Sequence, residues 1–315
     1  MMGKSALLAA IRAQPWAILP EYLDAIEAIA LRAFEAAALD VVREDGHQAR
    51  FAASLEAVAA VGTRLEGAAM STVRDGRAVV PVLGPVFPRA NMLNSSAEGT
   101  PLDALMRDFR VAEASSAVEQ IVLLFDTPGG VVSGVSEAAA AIRGSAKPVV
   151  AFVTGQAASL GYWLASQASE IVMEPAAMVG SIGVVMSGSR QVQPGADGRQ
   201  DYEVVSSGAP NKRPDMSTEE GRAVVQAMVD EAEAVFFADV AAGRKVSVAT
   251  VRNDFGRGGM MVAKAAVAAG MADRIGTLES VLTTARRTGT VNMGGRRALA
   301  LAETETRRRA ASLEN

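Results

Sequence analysis

The chain has 315 residues, half of them apolar, which allows one large domain or one domain with appendages. A net charge of −4 and only 4% aromatic residues argue against nucleic acid as the main partner. The absence of cysteine excludes disulfides, thiolate chemistry and zinc–cysteine sites, and a single histidine, His47, argues against a histidine-based metal site. No cofactor or metal is expected.

Near the N-terminus the apolar run from Ala6 to Ile11 is broken by Arg12, and the next carries Glu21, Asp24 and Glu27. Neither approaches the roughly 20 apolar residues of a membrane span, and neither has the cleavage pattern of a secreted precursor. The expectation is a cytoplasmic protein without a membrane span. Residues 20–69 read as helical. Pro20 suits a first helical position, Tyr22, Ile26, Ile29, Ala33 and Ala37 follow helical spacing, and Phe51, Leu55, Val58 and Leu65 suggest a second helix. A helical arm packing on a neighbour explains this region better than a catalytic role for His47.

From about residue 77, short apolar runs are punctuated by glycine and proline. Strands are predicted at Ala78–Leu83, Gln120–Phe125, Pro148–Val153, Glu170–Met173, Ile182–Met186 and Tyr202–Val205. Helices are predicted at Pro101–Ala114 with Thr100 as cap, at Ser133–Ile142, and from near Ala158. The alternation predicts an α/β fold with a mostly parallel sheet flanked by helices. The longest helix is expected from Thr218 to Ala242, with a Ser217/Glu220 capping box, a stripe of Val225, Met228, Val229, Ala232 and Phe236, and Gly243 as its stop. The arginine-bearing stretch after about Thr283 is expected to be a mobile tail. The domain reading is 1–76 helical, 77–285 an α/β domain, and 286–315 a basic tail.

Ser159, in TGQAASLGYWLA, falls at a predicted strand-to-helix turn, where a hydroxyl meets the free N–H groups and positive dipole end of a helix. A serine there is more often a helix cap than a nucleophile. With His47 far away in sequence, a lysine is the better candidate base, and Lys212 in SSGAPNKRPDM fits. It would have to be buried to lose its proton near neutral pH. DTPGGVVSG follows a strand. Its Gly129–Gly130 pair allows positive φ, so that free N–H groups could face a substrate oxygen, although such turns are common.

Taken together, DTPGGVVSG, GQAASLGYWLA, VGSIGVVMS, SSGAPNKRPDM and the closing AAVAAGMADRIG resemble the signal peptide peptidase A (protease IV) peptidases of the Clp protease/crotonase superfamily, over about residues 77–285. The opening PWAILPEYLDAI adds a resemblance to phage and prophage head-maturation proteases within that family. The resemblance implies Ser159 as nucleophile, Lys212 as general base, Ser181 holding the lysine amine, and an oxyanion hole from the N–H groups of Gly130 and Leu160. Leu160 replaces the glycine usual after the nucleophile. Gly129 and Val131 would line an extended substrate that adds a strand beside Gly130.

The implied activity is a Ser–Lys endopeptidase acting on capsid, scaffold or portal proteins, assembled as a ring-shaped homo-oligomer. Competing readings are a host-type cytoplasmic signal-peptide peptidase, a non-catalytic assembly protein, and an acyl-CoA enzyme of crotonase type.

Overall fold

The computed structural model describes residues 8, 11–12, 14–24, 26–28, 30, 56–89, 99–187 and 204–283. Met1–Leu282 form one compact unit and Thr283–Asn315 another. The elements begin with β1 (Trp16–Ile18), β2 (Thr63–Arg64), β3 (Thr72–Arg74), β4 (Arg77–Leu83), β5 (Val86–Phe87) and β6 (Thr100–Pro101). They continue through α1 (Leu102–Ala114), β7 (Gln120–Thr127), β8 (Gly129–Val131), α2 (Val135–Arg143), β9 (Val149–Ala158), α3 (Leu160–Ala165), β10 (Glu170–Met173) and β11 (Met178–Gly180). A 3-10 turn at Pro210–Lys212 precedes α4 (Glu219–Arg244), α5 (Val248–Asp254), β12 (Met260–Val262), α6 (Ala263–Ala269), β13 (Arg274–Ile275) and α7 (Leu278–Thr283).

The main sheet runs in the order β12-β11-β9-β7-β4-β3-β2, with β10 joined to both β9 and β13. Its centre is parallel, from β4 through β7 to β9 and on to β10 and β11, whereas β2, β3 and β12 pair antiparallel. A smaller sheet, β1-β8-β5-β6, sits at the end of β7. The period-2 alternation of strand side chains divides the core. Val80, Val82, Leu123, Phe125, Ala151 and Val153 face the layer of α1 to α6. Val79, Val122, Leu124, Val150 and Phe152 face a second cluster closed by Val58, Val281 and Leu282. Burial on both faces is why these strands read as continuous apolar runs.

The central strands and the helices α1, α2, α3 and α4 match the sequence expectation, with four corrections. β9 continues to Ala158, five residues beyond the predicted Val153. Ile182–Met186 is not a strand, because only Val185 makes a bridge, to Trp16. Thr100 does not cap α1, since its hydroxyl bonds the N–H and C=O of Leu83 inside β6. Of the predicted Tyr202–Val205 strand, 204–205 are non-regular and the rest lies outside the described residues.

α4 also departs in detail. Thr218 rather than Ser217 is its cap, with Oγ1 accepting from the Gly221 N–H at 3.0 Å, and Ser217 instead donates to Asp215. Gly243 does not stop the helix. A side chain there would collide with the Ser166 carbonyl, so glycine is required by close approach to the end of α3. The chain turns at Lys245, in the left-handed region with φ 56°. Of the predicted stripe only Val225 and Phe236 are buried, and Phe236 stacks on Trp163 at 4.3 Å.

The first 76 residues are not helical throughout. Helical residues occur at 20–24, 26–28 and 56–59, but Thr63–Arg64 and Thr72–Arg74 extend the main sheet. Leu65, predicted on a helix, is buried in the core from a turn. His47, the bulk of the predicted arm and the basic tail lie outside the described residues.

Two buried or crowded carboxylates make the fold testable. Asp108 is fully buried and accepts four hydrogen bonds, from the N–H groups of Ala69, Met70 and Ser71 and from the Ser71 hydroxyl, at 2.7–3.0 Å. It ties the turn before β3 to α1. Asp108→Ala orphans these donors and should lower stability by roughly 3–5 kcal/mol, measured by denaturant unfolding.

Asp126, near the end of β7, is an exposed residue whose carboxylate is crowded by the backbone at Gly155. Lost hydration raises its pKa, opposed by the Gln156 N–H at 3.2 Å. A raised folded-state pKa favours the protonated form, so its contribution to stability is present below the unfolded pKa and lost as pH rises through the folded value. Asp126→Asn should therefore raise the melting temperature at pH 7, and the gain should vanish near pH 3, measured by thermal unfolding.

Candidate active site

The site is assembled where three parallel strands end. β7 runs into the Pro128–Gly129–Gly130 turn, β9 runs into Ser159, and β11 runs into Ser181. Parallel pairing of β7 with β9 sets Thr127 beside Ala157, and pairing of β11 with β9 sets Gly180 beside Ala158. Between the pairs Phe125–Val153 and Thr127–Ala157, β9 carries more residues than β7, and this irregularity bends β9 just ahead of the site.

Ser159 is almost fully buried and has φ 52°, ψ −113°, a conformation that non-glycine residues rarely adopt. Both sides of the turn hold it: its N–H donates to the Gly180 carbonyl at 2.7 Å, and its carbonyl accepts from the Trp163 N–H at 2.9 Å. Leu160 is the first residue of α3, so its N–H has no intrahelical acceptor. Gly161 is required because a Cβ would lie 2.5 Å from the Thr127 methyl group. Thr127 in turn donates to the Gly84 carbonyl at 2.6 Å and accepts from the Gly129 N–H at 3.2 Å, locking the glycine turn to the body of the sheet. Ser159 does not cap α3 through its side chain. Its hydroxyl donates to the Gly183 carbonyl at 3.4 Å, a long contact.

The two glycines differ in role. Gly129 has φ 110°, whereas Gly130 needs to be glycine because a Cβ would strike the Val86 carbonyl. The N–H of Gly130 is not free. The register of β1 on β8, bounded by Leu19 N–H to Pro128 O at 2.9 Å and Val132 N–H to Pro15 O at 3.3 Å, makes Ala17 and Gly130 a hydrogen-bonded pair, with the Gly130 N–H donated to the Ala17 carbonyl. Gly129 and Val131 face Ile18 and Trp16 in the same ladder.

Ser181, half-buried, also has a positive φ of 53°, and its N–H donates to the Gly259 carbonyl at 3.0 Å. Lys212 lies on the 3-10 turn before α4 with its side chain exposed. Among the described residues no hydrogen bond joins Lys212 Nζ to Ser159 or Ser181. The structure thus brings Ser159, Leu160, Gly130 and Ser181 to the ends of neighbouring strands and leaves the lysine exposed.

Sequence reasoning missed two features here. Glu233 of α4 comes within 3.8 Å of where a Gly183 side chain would start, and its pKa is raised by burial and by Asp230 against the opposing effect of Arg252. The chain's own segment at 15–19 covers β8, although PWAI carried no chemical signal. Among the described residues no cluster of His, Cys, Asp or Glu side chains is placed to hold a metal ion, and no helix is long and apolar enough to cross a membrane.

Residues 141–292 match the model of peptidase family S49, and residues 89–180 match that of Clp protease. The chain is 36% identical over 120 residues to capsid assembly protease C of Escherichia phage lambda, covering 37% of this chain and 27% of that protein. It is 28% identical over 208 residues to the head-tail preconnector protein GP5 of Enterobacteria phage P21, covering 64% of this chain and 41% of that protein. Protease 4 of Salmonella typhi is 39% identical over 85 residues, covering 26% of this chain and 14% of that protein. The chain spans less than half the length of each of these relatives. The S49 match contains Ser159, Ser181 and Lys212, the Clp match contains the Pro128–Gly130 turn and Ser159, and the mixed α/β fold with its mostly parallel central sheet accords with both: over residues 141–292 the chain is similar to the S49 family of serine peptidases.

Proposed function

We propose that this chain is a serine endopeptidase that uses Ser159 as nucleophile and Lys212 as general base, within a peptidase domain spanning 77–285. The observation that carries the reading is the strained backbone of Ser159, buried between the ends of β9 and β11 and directly ahead of the open N–H of α3. Strain of this kind, held by surrounding hydrogen bonds, is a mark of functional sites.

In the proposed reaction neutral Lys212 takes the hydroxyl proton as Ser159 Oγ attacks the peptide carbonyl. The N–H groups of Gly130 and Leu160 stabilise the oxyanion. The protonated lysine then gives its proton to the leaving amine, and water, deprotonated by the same lysine, releases the acyl group and restores the serine. Ser181 orients the amine. Lys212 is exposed on its 3-10 turn, so the reaction requires it to be covered and turned toward Ser159. We assign that cover to assembly as a ring of copies, a reading supported by Met228 and Val235 standing exposed on α4.

The proposed substrate is a phage head protein, a capsid, scaffold or portal component. The likeness to lambda capsid assembly protease C and to P21 GP5 supports this role. The likeness to Protease 4 favours, as the second reading, a host-type peptidase acting on signal peptides.

Incubation of the wild-type chain with candidate head proteins, followed by mass spectrometry of the fragments, should reveal defined cleavage products. Ser159→Ala should reduce the rate by about 10^4-fold or more, and Lys212→Ala by about 10^2–10^4-fold. Equal cleavage by all three proteins would refute the dyad. In analytical ultracentrifugation the active form should sediment as an oligomer, and Met228→Glu should lower both its mass and its activity.

A further inference from the structure

β8, which carries Gly130, has no open edge. On one side Val86 of β5 pairs with Gly130, and on the other β1 lies antiparallel along its whole length. The strand that a peptide would have to form beside Gly130 is already formed by this chain. The Ala17 carbonyl accepts from the Gly130 N–H, and the Ala17 N–H donates to the Gly130 carbonyl in return. Trp16 faces the opposite way, giving its N–H to the Val185 carbonyl at 2.9 Å and accepting from the Val185 N–H at 2.8 Å. Segment 15–19 therefore runs extended between the glycine turn and the stretch after Ser181, with hydrogen bonds to both.

The segment is anchored, not loosely laid. Trp16 and Ala17 are fully buried, and the indole N–H donates to the Ile11 carbonyl at 2.9 Å. The Trp16 ring meets Phe87 edge-on at 6.3 Å within a separate apolar cluster of Ile11, Ile18, Leu23, Ile26, Phe87 and Val131. Arg12 and Glu27 form a two-point ion pair that closes the far end. These contacts lie mainly within the N-terminal segment and on β5 and β8, while Ala17 also packs into the main core cluster.

We propose that residues 15–19 are an internal substrate mimic that fills the peptide groove, with the Ala17 carbonyl in the oxyanion position, and that they must leave before a peptide enters. The proposal rests on the assignment of Gly130 as an oxyanion donor. The groove is thus self-closed in a single chain, and its opening is a step that assembly or a partner could govern.

The test uses the full chain carrying Ser159→Ala, so that binding is read without cleavage. The probe is a fluorescent peptide copying residues 12–23, RAQPWAILPEYL. Trp16 and Val131 are a non-hydrogen-bonded antiparallel pair, with Cα atoms about 4.5 Å apart, within reach of a disulfide. Because the chain has no cysteine, Trp16→Cys with Val131→Cys gives a single reversible lock.

Reduced, this variant lacks the Trp16 anchor and should bind the probe; oxidised, it should bind at least about tenfold more weakly in fluorescence anisotropy. Ala17→Pro, which removes the N–H bonded to the Gly130 carbonyl, should bind about tenfold more tightly than its parent. Equal binding by the oxidised and reduced forms, no binding by the reduced form, or no gain from Ala17→Pro overturns the proposal. If neither the wild-type chain nor Ala17→Pro with Ser159 intact cleaves a head protein, while the lock still blocks the probe, the proposed cleavage of head proteins is refuted and the segment stands as the cover of a peptide groove. Cleavage by wild type with a lock that has no effect does the reverse.

Discussion

The parallel pairing of β7 with β9 is the constraint on which the site depends. Both strands are buried on two faces, so their register is fixed by apolar packing above and below the sheet. That register brings Thr127 to Ala157, and with it the glycine turn to the serine turn. A slip of one residue would reverse every side chain on β9 and carry the following turn away from β8. The positive φ of Ser159 is held by neighbours on both sides, through Gly180, Trp163 and the Thr127–Gly161 contact, and depends on this register.

Much of the central architecture was legible. The runs at 78–83, 120–125 and 170–173 are short, apolar and bounded by breakers, and each is a strand. What misled was local chemistry. Ser217 and Glu220 have capping-box spacing, but Asp215 takes the Ser217 hydroxyl and Thr218 takes the cap. Thr100 sits ahead of a helix, yet its hydroxyl is claimed by Leu83. Gly243 has the position of a stop and serves as a contact surface. The spacing of Val58 and Leu65 suggested one helix, but Val58 stands in a short helical stretch and Leu65 follows the exposed strand β2, and each is buried in a different core cluster.

The candidate site was legible only in pieces. Ser159 and the Pro128–Gly130 turn were marked by their place after strands, and the strand ends do lie side by side. The contacts of Lys212 were not legible, because burial of a lysine depends on surfaces that no spacing rule describes. Nor was β1: three residues are too few to show a period, and their partners stand more than 100 positions away.

The closure of the second apolar cluster has a consequence for how the chain folds. Val58, from before the sheet, meets Val281 and Leu282, from after it, over the faces of β4, β7, β9 and β10. Arg74 and Glu279 reinforce the junction across 205 positions. Contacts of such wide sequence separation form late, since the loop they close carries the largest entropy cost. During synthesis the part of this face that Val281 and Leu282 cover stays uncovered by them until residue 282 has left the ribosome, and a nascent chain stalled before that point would expose apolar surface there.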